Sequence, residues 1–243
     1  MERLSFLNLL EIKTGDCITV TGGGGKTGFV FQLMKELTNC GIPSMITTTT
    51  KMWYPDNFSG KIILQDQIGL KNLMPAIKSC SELQLFVAAG GLADNKVSGL
   101  TPELVDDIYE NLDGRILLVE GDGAAGKPSK IYRQGEPVIP KSTNRLVFII
   151  GCEVWNQPLG HYVHRCPPEL KDLLFDALWL KEKLMNYCSL IEHYKIDSSW
   201  LIINKAEGKA FLAASEMAKI AKPFFKQIFI SSIKEAWIVN VCK

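Results

Sequence analysis

Two stretches of this chain, Arg115-Ile116-Leu117-Leu118-Val119-Glu120 and Leu146-Val147-Phe148-Ile149-Ile150, are apolar at almost every position. A strand with one wet face alternates apolar and polar residues, so these two require cover on both faces. Comparable runs recur at Cys17-Ile18-Thr19-Val20-Thr21, Ser44-Met45-Ile46-Thr47-Thr48-Thr49, Leu85-Phe86-Val87-Ala88-Ala89, Trp200-Leu201-Ile202-Ile203-Asn204 and residues 227–231, with a short one at 61–64. Between them the apolar spacing becomes helical: Phe29, Val30, Leu33, Met34 and Leu37 share one helix face. Thr101 and Pro102 supply an N-cap and a first helical residue, and residues 166–195 and 207–222 read as mostly helical. Buried strands alternating with helices predict an α/β fold: a mostly parallel sheet with helices on both faces, in three layers.

The 243 residues suit a single domain, 1–243, with a helical insertion around 160–195. The net charge of +1 provides no global field for nucleic acid or an anionic membrane. Seven cysteines, none spaced Cys-x-x-Cys, read as reduced thiols and predict a cytoplasmic protein. Met1-Glu2-Arg3-Leu4-Ser5-Phe6 lacks the apolar core of a secretory leader, and no apolar run approaches membrane-spanning length. The chain is short beyond residue 231, so a terminal helix is expected to be missing.

In such sheets ligands sit outside the carboxyl ends of the strands. The unusual residues follow strands: 22–27, 47–51, 90–91, 120–130 and 204–207. Gly22-Gly23-Gly24-Gly25-Lys26-Thr27, between a strand and a helix, is the sharpest of these. Glycines let backbone N–H groups converge on an anion, and the helix adds its free amides and positive end. Lys26 is expected on the β- and γ-phosphates of ATP or GTP, and the Thr27 hydroxyl on Mg²⁺. Val20 stands where the common phosphate loop has its first glycine. The sequence is closer to the G-G-x-G-K-T variant, with Thr21 where that variant carries a lysine.

The other segments supply partners. Thr47-Thr48-Thr49-Thr50-Lys51 is placed like a switch segment, with Thr49 near Mg²⁺ and Lys51 toward the γ-phosphate. Glu120 and Asp122 fall on one side of an extended chain, at a strand's carboxyl end, and are candidates to hold Mg²⁺ or orient water. Lys127 and Lys130, with His164 and Arg165, are candidates for a second anionic substrate. Asn204-Lys205-Ala206-Glu207 resembles the guanine-reading N-K-x-D segment, with Glu207 one methylene longer than Asp. His161, His164, Cys166 and Cys152 are ligand-capable, but their spacing is not that of a zinc site.

Taken in order, these segments resemble the YqeC family. The carrying residues are Val20-Thr21-Gly22-Gly23-Gly24-Gly25-Lys26-Thr27, then Thr47-Thr48-Thr49-Thr50-Lys51, then Val119-Glu120-Gly121-Asp122-Gly123-Ala124 against the family's V-E-A-D-G-A. Glu136-Pro137-Val138-Ile139-Pro140, Val163-His164-Arg165 and Asn204-Lys205 complete the series. The resemblance implies an accessory role toward a selenium-dependent molybdenum hydroxylase, as partner or through its cofactor machinery. Three activities remain open: nucleoside-triphosphate hydrolysis, kinase, nucleotidyl or ligase chemistry on a small acceptor, and nucleotide-gated binding without turnover.

Overall fold

A computed structural model of the chain describes residues 5–242; the leader reading of Met1 to Leu4 lies outside them. Fourteen strands occur in the order β1 Cys17–Gly22, β2 Ser44–Thr48, β3 Met52–Trp53, β4 Lys61–Leu64, β5 Gln84–Ala88, β6 Gly90–Leu92, β7 Lys96–Ser98, β8 Ile116–Glu120, β9 Ser129–Lys130, β10 Arg145–Gly151, β11 Val163–His164, β12 Ser198–Asn204, β13 Ile228–Ser232 and β14 Trp237–Asn240. The α-helices are α1 Phe6–Leu9, α2 Lys26–Asn39, α3 Gln65–Ile68, α4 Leu70–Lys78, α5 Pro102–Glu110, α6 Leu159–Tyr162, α7 Ala177–Tyr194 and α8 Ala210–Ala221.

Nine strands form one sheet in the order β14-β13-β12-β10-β1-β8-β2-β5-β4. Every pairing is parallel except β13 with β14. Strand β1 is therefore central, between β8 and β10, and its carboxyl end lies beside theirs. The period of two splits each strand between two cores. Ile18, Leu118, Val147 and Trp200 face α1 and α2. On the other face Leu146, Phe148 and Leu201 meet α7 and α8, while Met45, Leu117 and Val119 meet the α4 and α5 side. These are the three layers expected, and the near-continuous apolar strands are those with both faces covered.

Four local expectations are corrected. Residues 166–176 are not α-helical: Pro167 and Pro168 hold a short 3₁₀ turn, and α7 begins only at Ala177. Its start is set by Asp176, whose carboxylate accepts the N–H groups of Leu178 and Trp179 at 3.0 Å. Helix α8 starts at Ala210 rather than 207, after Gly208 turns the chain at φ 53°. Residue 231 does not end the sheet, because β14 returns antiparallel along its edge. Gly90 and Gly91 do not follow β5 as a free loop but open the β6–β7 hairpin, which pairs with β3.

Phe148 stacks on Tyr187 of α7 with ring centroids 4.0 Å apart, both fully buried. Phe148→Ala is expected to lower the unfolding free energy by about 3–5 kcal/mol in a denaturant titration.

Candidate functional site at the glycine loop

Only residues 23–25 separate β1 from α2. The turn depends on glycine, and two positions show why. At Gly24, φ is 83° and an added Cβ would lie 2.3 Å from the Gly151 nitrogen. At Gly25, φ is 130° and the Cβ would lie 2.5 Å from the Asn204 amide nitrogen. The loop is consequently packed against the ends of β10 and β12.

The amides divide into two sets. Gly22 N–H donates to Asp122 Oδ2 at 2.9 Å, Gly23 N–H to Ile149 O at 2.8 Å and Gly24 N–H to Lys127 O at 3.0 Å. Within α2 the first N–H to donate is that of Phe29, to Gly25 O at 2.9 Å. The amides of Gly25, Lys26, Thr27 and Gly28 have no acceptor among the described residues. These four, at the positive end of the helix, are the donors left for an anion.

Both carboxylates of the β8 end turn toward α2, as alternation requires. Glu120 Oε2 accepts the Thr27 hydroxyl at 2.7 Å. Burial raises the Glu120 pKa, and Lys26 and the Thr27 bond offset part of that rise. Asp122 is fully buried and lies 2.9 Å from Lys26 Nζ and 3.9 Å from Lys130 Nζ. Lys26, 5% exposed, also donates to Gly22 O at 2.7 Å.

The switch-like segment is tied to the same strand end. Thr49 N–H donates to Glu120 O at 3.1 Å, and the Thr49 hydroxyl donates to Val138 O at 2.7 Å. Lys51 is exposed and forms no ion pair among the described residues.

Short parallel strands β9 and β11 align Lys130 with His164. Lys130 donates to Gly123 O at 2.7 Å and to Glu136 Oε2 at 3.0 Å, and Arg165 pairs with the same Glu136 oxygen. Burial alone would raise the Glu136 pKa; the bonds from Arg165 and Lys130 outweigh it and hold the group at about 2. The His164 pKa is lowered, first by burial and then by Arg165 and Lys130. Lys127 donates to His161 O. Three of the four proposed substrate-binding residues, Lys130, His164 and Arg165, thus gather around Glu136.

The Asn204 segment meets the loop from the other side. Asn204 Nδ2 donates to Gly24 O at 2.7 Å, and its Oδ1 accepts from the Ser231 hydroxyl and the Ile233 N–H, both at 3.0 Å. Lys205 pairs with Glu153, and Glu207 accepts the Ser232 hydroxyl. Among the described residues no three His, Cys, Asp or Glu side chains group to hold a metal, including His161, His164, Cys166 and Cys152. The Thr27 hydroxyl with Glu120 and Asp122 is a donor set suited to Mg²⁺ that arrives with phosphates, since that ion takes one or two carboxylates and completes its shell from substrate and water.

Sequence reasoning missed Tyr132, Lys183 and Tyr187, which pack against this cluster. Lys183 Nζ donates to Lys130 O and lies 4.9 Å from the Tyr132 ring centroid. One signal was present: Lys183 falls on the stripe that also carries Leu180, Leu184 and Tyr187.

Fold and site together define an α/β protein with a glycine loop at the carboxyl edge of a parallel sheet, opposed by two acidic side chains. The chain belongs to the YqeC family: the family model described as "YqeC protein" matches residues 18–167. It is also 31% identical over 134 residues to "Uncharacterized protein YqeC" of Escherichia coli (strain K12), a stretch covering 55% of this chain and 51% of that protein. The chain thus matches about half the length of this curated relative. No helix of the described residues is long and apolar enough to cross a membrane.

Glu136 generates a pH prediction. A carboxyl depressed from its ordinary 4.5 to about 2 adds stability above 4.5, and that stability is lost as the pH falls through about 2. Glu136→Gln is therefore expected to be less stable at neutral pH and to show a shallower acid limb in urea titrations across that window.

Proposed function

We propose that the protein binds a purine nucleoside triphosphate with Mg²⁺ at the glycine loop and hydrolyses its terminal phosphoanhydride, as an accessory to a molybdenum hydroxylase. The observation that carries the reading is the joint placement of Lys26, Thr27 and four free amides at the start of α2, facing Glu120 and Asp122. A phosphate chain there meets the helix's positive end, its unpaired N–H groups and an ammonium. The Thr27 hydroxyl and the Glu120 carboxylate would hold Mg²⁺, directly or through water, and the ion would supply charge neutralisation on the phosphate oxygens.

Each side chain then has a defined task. Lys26 exchanges the Asp122 carboxylate for phosphate oxygens. Asp122, released, accepts from Lys130 nearby or orients water. Phosphoryl transfer is catalysed mostly by positioning and charge, so no nucleophilic side chain is required. Residues 127–129 lie against Gly23, whose added Cβ would be 2.6 Å from Lys127 O. Asn204 lies beside Gly25, but its Oδ1 is taken by Ser231 and Ile233 and one Nδ2 proton by Gly24 O, so only the second Nδ2 proton would be left for a base. Family membership supports the accessory setting; the hydroxylase as partner is part of the proposal.

Calorimetric titration with ATP or GTP plus Mg²⁺ tests this. Lys26→Ala is expected to weaken binding by about ten- to a hundredfold, the loss of one charge-assisted contact worth about 1.5–3 kcal/mol. Thr27→Ala is expected to bind nucleotide but lose Mg²⁺-dependent phosphate release. Equal binding by wild type and folded Lys26→Ala would overturn the reading. Turnover that required a small acceptor would replace hydrolysis with transfer.

A further inference from the structure

Helix α7 carries one residue that its packing face does not explain. Leu180, Leu184 and Tyr187 are buried, and Lys183 stands among them only 5% exposed. Its ammonium donates to the neutral Lys130 carbonyl, and the ring centroids of Tyr132 and Tyr187 lie 4.9 and 5.7 Å away. Lys130 and Arg165 share Glu136, and Lys26 takes Asp122. Lys183 is left without a paired carboxylate among the described residues. A buried ammonium that touches only a carbonyl and ring faces, with Asp122 and Glu182 acting from beyond ion-pair distance, is short of counter-charge.

Lys183 also lines a pocket of about 440 Å³. That volume lies within the range of ordinary small-molecule sites, about 300–1,000 Å³. Tyr132 borders it beside Lys183, Ile131, Leu170 and Leu190 make it apolar, and Trp179 adds an indole. Glu182, exposed, and Asn186 complete its polar lining. Inward of the pocket, toward the glycine loop, the Tyr132 hydroxyl faces those of Thr21 and Tyr187 and the Asp122 carboxylate. The polar groups and the apolar walls thus ask for different parts of one occupant.

We propose that this pocket binds an aromatic monoanion, with its carboxylate on Lys183 and its ring among Trp179, Ile131, Leu170 and Leu190. The buried cation selects the negative head, and the apolar walls select the ring. Glu182, next to Lys183 in the lining, opposes a second negative charge. Burial lowers the Lys183 pKa to about 8, against the opposing pull of Asp122 and Glu182 and with the help of Lys130, so the side chain remains mostly cationic at neutral pH. The pocket stands apart from the nucleotide reading, and its test uses no nucleotide.

The test is calorimetry with naphthoate, neutral naphthalenemethanol and a naphthalene dicarboxylate, on the full chain at neutral pH. Wild type is expected to prefer naphthoate to the alcohol by about tenfold, the gain from a charge-assisted contact, and to bind the dicarboxylate more weakly than naphthoate. Lys183→Met removes the preference, and Leu170→Asp, which places a carboxylate in the wall, removes naphthoate binding. Circular dichroism establishes that each variant folds, and Leu170→Asp decides the matter if Lys183→Met does not. Absence of naphthoate binding at about 5 mM, equal affinity for acid and alcohol, or a preference that survives both pocket substitutions would overturn the proposal.

Discussion

Asp122 has no solvent exposure, and a carboxylate in that position must be surrounded by protons. It receives Gly22 N–H, lies against Lys26 and has Lys130 close by. These contacts join the end of β8, the glycine loop and the 127–130 segment into one unit. Removing one partner from such a pair leaves a buried charge uncompensated, at a cost of about 3–5 kcal/mol. The same pair gives the loop its chemical character: Lys26 is already held in an orientation that an anion could take over.

Much of the sheet was legible because covering both faces of a strand leaves a compositional mark. Leu117 and Leu118, or Phe148 and Ile149, face different cores and must both be apolar. The glycine loop was legible because three of its glycines, Gly22, Gly24 and Gly25, adopt conformations that other residues rarely take. The boundaries of α7 and α8 were less so, since they depend on Asp176 as a cap and on Gly208 as a turn rather than on apolar spacing. The β6–β7 hairpin was misread because a pair of glycines after a strand has the same appearance in a ligand loop and in a turn.

The candidate site shows a similar division. Glu120, Asp122, Lys26 and Thr27 meet because they lie at neighbouring strand ends, which parallel order alone secures. The destination of Gly23 and Gly24 N–H groups could not be read, because their acceptors, Ile149 O and Lys127 O, are backbone atoms over a hundred residues away in sequence. Lys183 was hidden for a different reason: a lysine in a helix is ordinarily assigned to solvent, and only its register with Leu180, Leu184 and Tyr187 marks it as internal. The family match ends at residue 167, so it contains both carboxylates and the β9–β11 pairing but not α7 or Asn204.

Asn204 fastens three things with one amide group: the Gly24 carbonyl, the Ser231 hydroxyl and the Ile233 N–H. A side chain clamped in this way cannot follow the loop without releasing the turn after β13. Opening at the centre of the sheet is thereby coupled to loosening near its edge. The Ile233 amide, whose side chain packs beside Gly25 and Gly28, becomes a gauge of that event: its hydrogen-exchange rate would register changes in the glycine loop.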